Sequence, residues 1–173
     1  MGRKDMLNEH HRKVITCRQA LSLAGVGVTF YSGCTEPRWQ QLERLEATVI
    51  QRQGAIIDVN LQTSGITDDE LVHLEGLNSL GTLHLDATSV TDAGLVHLAG
   101  LTSLYHLSLN DTPITNAGLV HLSGLSSLHH LQFDATRITD AELVHFKKMY
   151  RLAVLVLNGA QITGTGLVHL RPL

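Results

Sequence analysis

The chain is short of aromatic residues, of cysteine and, over a long stretch, of positive charge. Phe, Trp and Tyr together make up 4% of its 173 residues. Any core must therefore be built mainly from aliphatic side chains. Cys17 and Cys34 are the two cysteines, too few for a disulfide scaffold or a four-cysteine zinc site. Mean hydropathy is +0.08, too polar for a multi-span membrane protein. No Lys or Arg occurs between Arg52 and Arg137, although that stretch holds nine carboxylates. Phosphate recognition needs basic side chains, so nucleic-acid binding is excluded as an expectation for this body.

What is abundant is leucine, with 30 residues, 24 of them from Leu71 onward. Hydrophobic residues at 43% and charged residues at 17% suffice for the core of one domain. Much leucine with few aromatics points to a regular, repeated core. The two ends differ in charge. Residues 1–33 carry five basic side chains against Asp5 and Glu9, whereas from Cys34 onward 8 basic residues face 14 acidic ones.

Residues 1–33 read as a leader. A polar, basic start is followed by a mostly apolar, small-residue run from Gln19 to Phe30, then Tyr31-Ser32-Gly33-Cys34. Basic region, short apolar region and small residues before a cut site describe a secretory signal peptide. The run is too short for a comfortable transmembrane span, which needs about 20 apolar residues. Ser32-Gly33-Cys34 resembles the end of a bacterial lipoprotein signal. That resemblance implies lipidation at Cys34, a membrane anchor and a place in the cell envelope. A different cleavage site, an uncleaved anchor (secretion without lipid being a further outcome) or a buried N-terminal element remain alternatives. Residues 34–54 are expected to form an N-terminal capping helix. Thr35-Glu36-Pro37 suits a helix start, Trp39, Leu42, Leu45 and Val49 share one helical face, and Gly54 suits the end.

From residue 55 to 173 one pattern recurs. Thr67, Thr91, Thr115, Thr139 and Thr163 are 24 residues apart, as are Leu71, Leu95, Leu119, Leu143 and Leu167, and His73, His97, His121, His145 and His169. In each unit a leucine pair such as Leu83 and Leu85 alternates with polar residues, the period of a strand. Leu95 and Leu98 follow at helical spacing. Thr67-Asp68-Asp69-Glu70 and Thr139-Asp140-Ala141-Glu142 fit capping boxes. Strand and helix joined by tight turns, repeated about five times, form a right-handed α/β solenoid with a parallel sheet.

Leu80-x-x-Leu83-x-Leu85 followed by a polar residue resembles the leucine-rich-repeat family. Thr88, Thr112 and Thr136, with Ser64 in the first unit, stand where that family has the Asn or Cys that bonds the next turn. The ITDAGL-type helix start is similar to bacterial 24-residue repeats and to the repeats of F-box adaptors. The resemblance implies a short horseshoe arc, with the parallel sheet on the concave side and helices on the convex side. It also implies protein binding rather than catalysis. No F-box-like segment precedes the array, so an adaptor role is not carried over.

The outward strand positions define the candidate binding face. Its columns are Asp58, Thr82, His106, His130 and Val154; Asn60, His84, Ser108, Gln132 and Val156; and Gln62, Asp86, Asn110, Asp134 and Asn158. The ligand-binding candidates are Asp58, Asn60, His84, Asp86, His106, Ser108, Asn110, His130, Gln132 and Asp134. With acids and no basic residue, the face calls for a basic protein partner whose binding weakens with salt and near pH 5.5. Lysine at Asp86 or Asp134 is expected to impair binding, and lysine at Asp68 or Asp92 not. No cofactor, catalytic residue or metal site is expected. Ser108, His84 and Asp86 resemble a triad without an oxyanion hole. Two alternatives stand beside protein binding: an array, or fragment of one, without its own ligand, and a metal- or small-ligand-binding protein using the His/Asp patch. The last strand, residues 154–157, is apolar and leaves an edge where self-association is expected.

Overall fold

The computed structural model describes residues 13–16, 45 and 47–170. Among the described residues, seven strands form one sheet in chain order: β1 (Lys13–Thr16), β2 (Thr48–Arg52), β3 (Ala55–Asn60), β4 (Thr82–His84), β5 (His106–Ser108), β6 (His130–Gln132) and β7 (Val154–Val156). The strands β1, β2 and β3 pair antiparallel, and every pairing from β3 to β7 is parallel. Each parallel step advances 24 residues, as in Val59↔Leu83↔Leu107↔Leu131↔Leu155. The repeat therefore sets the register directly. A one-residue slip would turn each buried leucine outward.

The core is a stack of aliphatic layers. One layer holds Leu95, Leu98, Leu101, Leu104, Leu107, Leu109 and Ile114, all buried. Its neighbours repeat this set, with Phe133 and Phe146 packed ring against ring in the fourth unit. No single layer encloses its own leucines. Burial comes from the layer on either side, which is why repeats fold together.

Two expectations about local structure are corrected. The capping helix does not extend over residues 48–54. Thr48–Arg52 is a strand, and Gln53 and Gly54, with φ of 52° and 81°, form the two-residue turn into β3. Two successive positive φ values are what a tight hairpin turn requires. The β-branched run Thr48-Val49-Ile50 is stiff in a helix and suits a strand. Ala47 and Val49 of this hairpin are buried against the first repeat and cover it. The predicted helix start at Thr35–Pro37, together with Trp39 and Leu42, lies outside the described residues.

The convex α-helices are also corrected. The segments opposite the sheet are mainly short 3-10 turns: Asp69–Leu74, Gly94–Leu98, Asn116–Gly118, Asp140–Lys148 and Thr165–Leu170. A four-residue α-helical turn, Leu119–Leu122, occurs in the third unit. An α-helix with side chains is about 10 Å wide, whereas strands step by about 4.8 Å. The tighter 3-10 winding narrows that mismatch.

These turns are held by the preceding unit. Asp68 accepts hydrogen bonds from Thr91 N at 2.7 Å and Thr91 Oγ1 at 2.6 Å, and Asp92 does the same for Thr115 at 2.8 and 2.5 Å. Asn116 and Thr139 continue the series, then Asp140 and Thr163. The Thr163 hydroxyl, aided by backbone N–H groups, holds the Asp140 carboxyl well below the ordinary carboxylate range. The expected capping boxes are partial or absent. Glu70 accepts from Thr67 N and Oγ1, but Glu142 bonds His145 instead. Thr88, Thr112 and Thr136 are buried, and each donates to a carbonyl of its own turn, Leu85, Leu109 and Phe133. Each of these hydroxyls thus closes its own turn.

Candidate functional site

The register brings the first two predicted columns together on one face. Asp58, Thr82, His106, His130 and Val154 are consecutive partners, as are Asn60, His84, Ser108, Gln132 and Val156. The third column, Gln62 to Asn158, lies just past the ends of the strands. It is a hydrogen-bond ladder between repeats. Asp86 Oδ1 accepts from Asn110 N at 2.9 Å, Asn110 Oδ1 from Asp134 N at 2.7 Å, and Asp134 Oδ1 from Asn158 N at 2.8 Å. Each following residue (Ala87, Asp111, Ala135 and Gly159) has a positive φ that turns the chain away. Its own N–H then reaches the next repeat, as in Ala87 N to Asn110 O.

Ser108 sits in the middle of a closed network. Its hydroxyl donates to Asp86 Oδ1 at 2.5 Å and lies 3.2 Å from Gln132 Oε1, while Asn110 Nδ2 donates to it at 3.0 Å. Ser108 is 2% exposed. A nucleophilic serine needs a base on its hydroxyl and open space at its oxygen. Here the hydroxyl turns to Asp86 rather than His84, so Ser108 and His84 do not form the pair that a triad requires. Among the described residues, no three His, Cys, Asp or Glu side chains converge as a metal set.

The histidines form a continuous cluster of rings. Ring centroids of His84 and His106 are 5.0 Å apart, and those of His106 and His130 are 5.5 Å apart and stacked at 17°. Tyr105 and His129 join it, Tyr105 lying 5.2 Å from His129 and 5.5 Å from His130, and His129 lying 4.8 Å from His130. Strict alternation would aim Tyr105 and His129 away from the faces of His106 and His130. The backbone breaks that alternation. Tyr105 N and His106 N both donate to Gly81 O, and His129 N and His130 N both donate to Tyr105 O. Two donors on one acceptor mark a bulge, which re-aims a side chain. Tyr105 and His129 are thus members of the face that alternation alone missed. Their 24-residue spacing was the available signal.

Burial holds the His106 ring below the ordinary histidine range, with the neighbouring His84 and His130 acting the same way and Asp86 and Asp58 opposing. Among the described residues, His106 Nε2 is buried with no hydrogen-bond partner. A depressed histidine pKa means that the unfolded chain takes up protons first. The stability it supports is complete above the unfolded value near 6.5 and is lost as pH falls through the folded value. The melting temperature should therefore drop between pH 7.5 and pH 5. The drop should be smaller in His106→Phe, measured by thermal unfolding. An equal drop in both proteins would contradict this assignment.

No family model matches the chain, and no curated protein matches it. Solved structures do. The internalin InlF from Listeria monocytogenes matches with a TM-score of 0.50 and 28% identity, over 70% of this chain and 31% of its own. Internalin C2 from the same organism matches with a TM-score of 0.50 and 25% identity, over 72% of this chain and 63% of its own. The fold is a leucine-rich-repeat solenoid. The chain spans less than a third of the first internalin's length and less than two thirds of the second's. A structure of the BIR3–SERK2 complex from Arabidopsis thaliana also aligns, with a TM-score of 0.48 and 15% identity over 88% of this chain and 86% of its own. That likeness is too low to carry an argument.

Proposed function

We propose that this protein is a non-enzymatic leucine-rich-repeat module, exported and lipid-anchored, that binds a basic protein partner on the concave, outer face of its sheet. The observation that carries the reading is that face. It is a contiguous polar, acidic and ring-bearing surface over consecutive strands, with no Lys or Arg in its three columns. Such a field speeds encounter with a basic partner and weakens as salt rises.

The test needs side chains that do not hold the fold. Asp86 and Asp134 bind the backbone of the next repeat, and Asp68 and Asp92 hold the next turn, so lysine at any of the four disturbs structure. Asp58→Lys on the face and Val120→Lys on the opposite side are the better pair. Val120 is 47% exposed. A photo-crosslinker at Thr82 should trap a discrete protein in the native cell, whereas one at Val120 should not. Asp58→Lys should reduce the yield. Equal trapping from both sides would remove the face as the site. A second reading, an array without its own ligand, draws support from the ladder, because many polar groups of the face already satisfy one another. Failure of any concave position to trap a protein would favour it.

Cys34 lies outside the described residues. If the leader is cut before it, the mature mass should begin at Cys34 plus acyl groups. Cys34→Ser should leave the precursor uncut at that site. The strand β1 lies within the leader and pairs with β2, so cutting would expose the outer edge of β2. Recovery of soluble protein with Met1 intact would overturn the lipid anchor. Self-association belongs to the same proposal. Among the described residues β7 pairs only with β6, and Leu167 and Val168 of the same layer are about half exposed. A second copy would cover that layer, and sedimentation should show a concentration-dependent dimer. A monomer at every concentration would exclude it.

A further inference from the structure

We infer that the ring cluster of the outer face takes an arginine side chain of the protein partner, its guanidinium stacked on His84 and His106 and paired with the carboxylate of Asp58. This rests on the protein-binding reading above and names the chemistry that the face selects.

Three observations point to arginine. The cluster is a continuous ring surface across β4, β5 and β6, with successive centroids 5.0 and 5.5 Å apart. Tyr105, 47% exposed, borders it. A guanidinium is planar and weakly hydrated and stacks on such faces, whereas a lysine ammonium is compact and strongly hydrated.

Next is charge. Protonated imidazoles would repel a cation, but the central ring resists protonation. Among the described residues His106 Nε2 is buried without a hydrogen-bond partner, and the ring lies between two other imidazoles. The groups facing it are His84 and His130, which oppose its protonation, and Asp86 and Asp58, which favour it. Burial and the two histidines prevail, so the central ring adds no positive charge against a cation at neutral pH.

The last observation concerns the carboxylates. Asp86 is committed to Ser108, Asn110 N and the amide of Gln62, the last at 2.6 Å. Asp58 stands in the same column as His106 and acts on its charge, yet among the described residues its carboxylate has no hydrogen-bond partner. It is the acid left to meet a donor fork, which pairs with a carboxylate through two parallel N–H bonds.

A random peptide library displayed on phage and panned on the full chain at pH 7.5 tests this, with counter-selection on His84→Ala/His106→Ala. Thermal unfolding confirms that the variant is folded, and Asp58→Asn serves as a milder second variant. Selected peptides should be enriched in arginine over lysine. Arg→Lys in a selected peptide should weaken binding about tenfold, as should Asp58→Asn in the protein. Peptides that need the ring pair but lack arginine, or tolerate lysine, would overturn the inference while leaving the face as a binding site. Failure to select any peptide that distinguishes the variant would overturn both.

Discussion

Gly118→Ala should lower the free energy of unfolding by about 2–4 kcal/mol, from overpacking and lost hydrogen bonds together. A Cβ at this position would collide with the carboxylate of Asp92 and lie 2.8 Å from Leu95 Cδ1. The carboxylate cannot move aside without cost, because it holds Thr115 N and Oγ1. Leu95 is fully buried, so it has little room either. Gly94 makes the same approach to Asp68 and Leu71 in the preceding unit. Gly100 is the control, since a Cβ there meets nothing within 4 Å. Gly100→Ala should stabilise by about 0.4–1 kcal/mol by restricting the unfolded chain. Denaturant unfolding of both variants checks the pair. Asp92→Ala combined with Gly118→Ala should cost less than the sum of the two, because the first removes the obstacle that the second strikes. Strict additivity, or a Gly118→Ala protein as stable as the parent, would contradict the close approach.

This glycine shows what the repeat made legible and what it did not. The 24-residue spacing and the alternation of Leu83 and Leu85 with polar neighbours led to the parallel register and the outer columns. Both features are local periods that stacking preserves. The partners of Thr91 and Thr115 were not legible, because each lies in another repeat and a period does not say which unit a side chain serves. Thr67, read as a helix cap, donates through its N–H and hydroxyl to Glu70 instead. The turns opposite the sheet read as helices because Leu95 and Leu98 fit either winding over so short a length. The hairpin at Gln53-Gly54 had a signal, a tight-turn pair flanked by β-branched residues, but Gly54 also suits a helix end. Tyr105 and His129 were hidden because two backbone donors share one carbonyl there, and alternation assumes that this does not happen.

Asp86→Ala should destabilise by about 2–4 kcal/mol, while Asp58→Ala should change stability by less than about 0.5 kcal/mol. Both are acids on the same polar face, and the sequence assigns them one role. The structure separates them. Asp86 receives Ser108 Oγ at 2.5 Å, Asn110 N at 2.9 Å and Gln62 Nε2 at 2.6 Å. Hydrogen bonds to a charged group are each worth about 1.5–3 kcal/mol in isolation. Their sum is reduced here, because the Asp86 side chain keeps 18% exposure, water replaces part of what is lost, and networked bonds are not additive. Ser108 is the exception. It is 2% exposed, and without Asp86 its hydroxyl proton has only the longer approach to Gln132, although Asn110 Nδ2 still donates to its oxygen. Asp86→Asn should recover part of the loss, since its amide oxygen still accepts from Asn110 N. Denaturant unfolding of the three variants orders them as Asp58→Ala, Asp86→Asn, Asp86→Ala, from most to least stable. If Asp86→Ala proved as stable as Asp58→Ala, the third column would be a solvated row rather than a ladder. Asp86 would then return to the face as a free acid, and arginine recognition would have two candidate carboxylates instead of one.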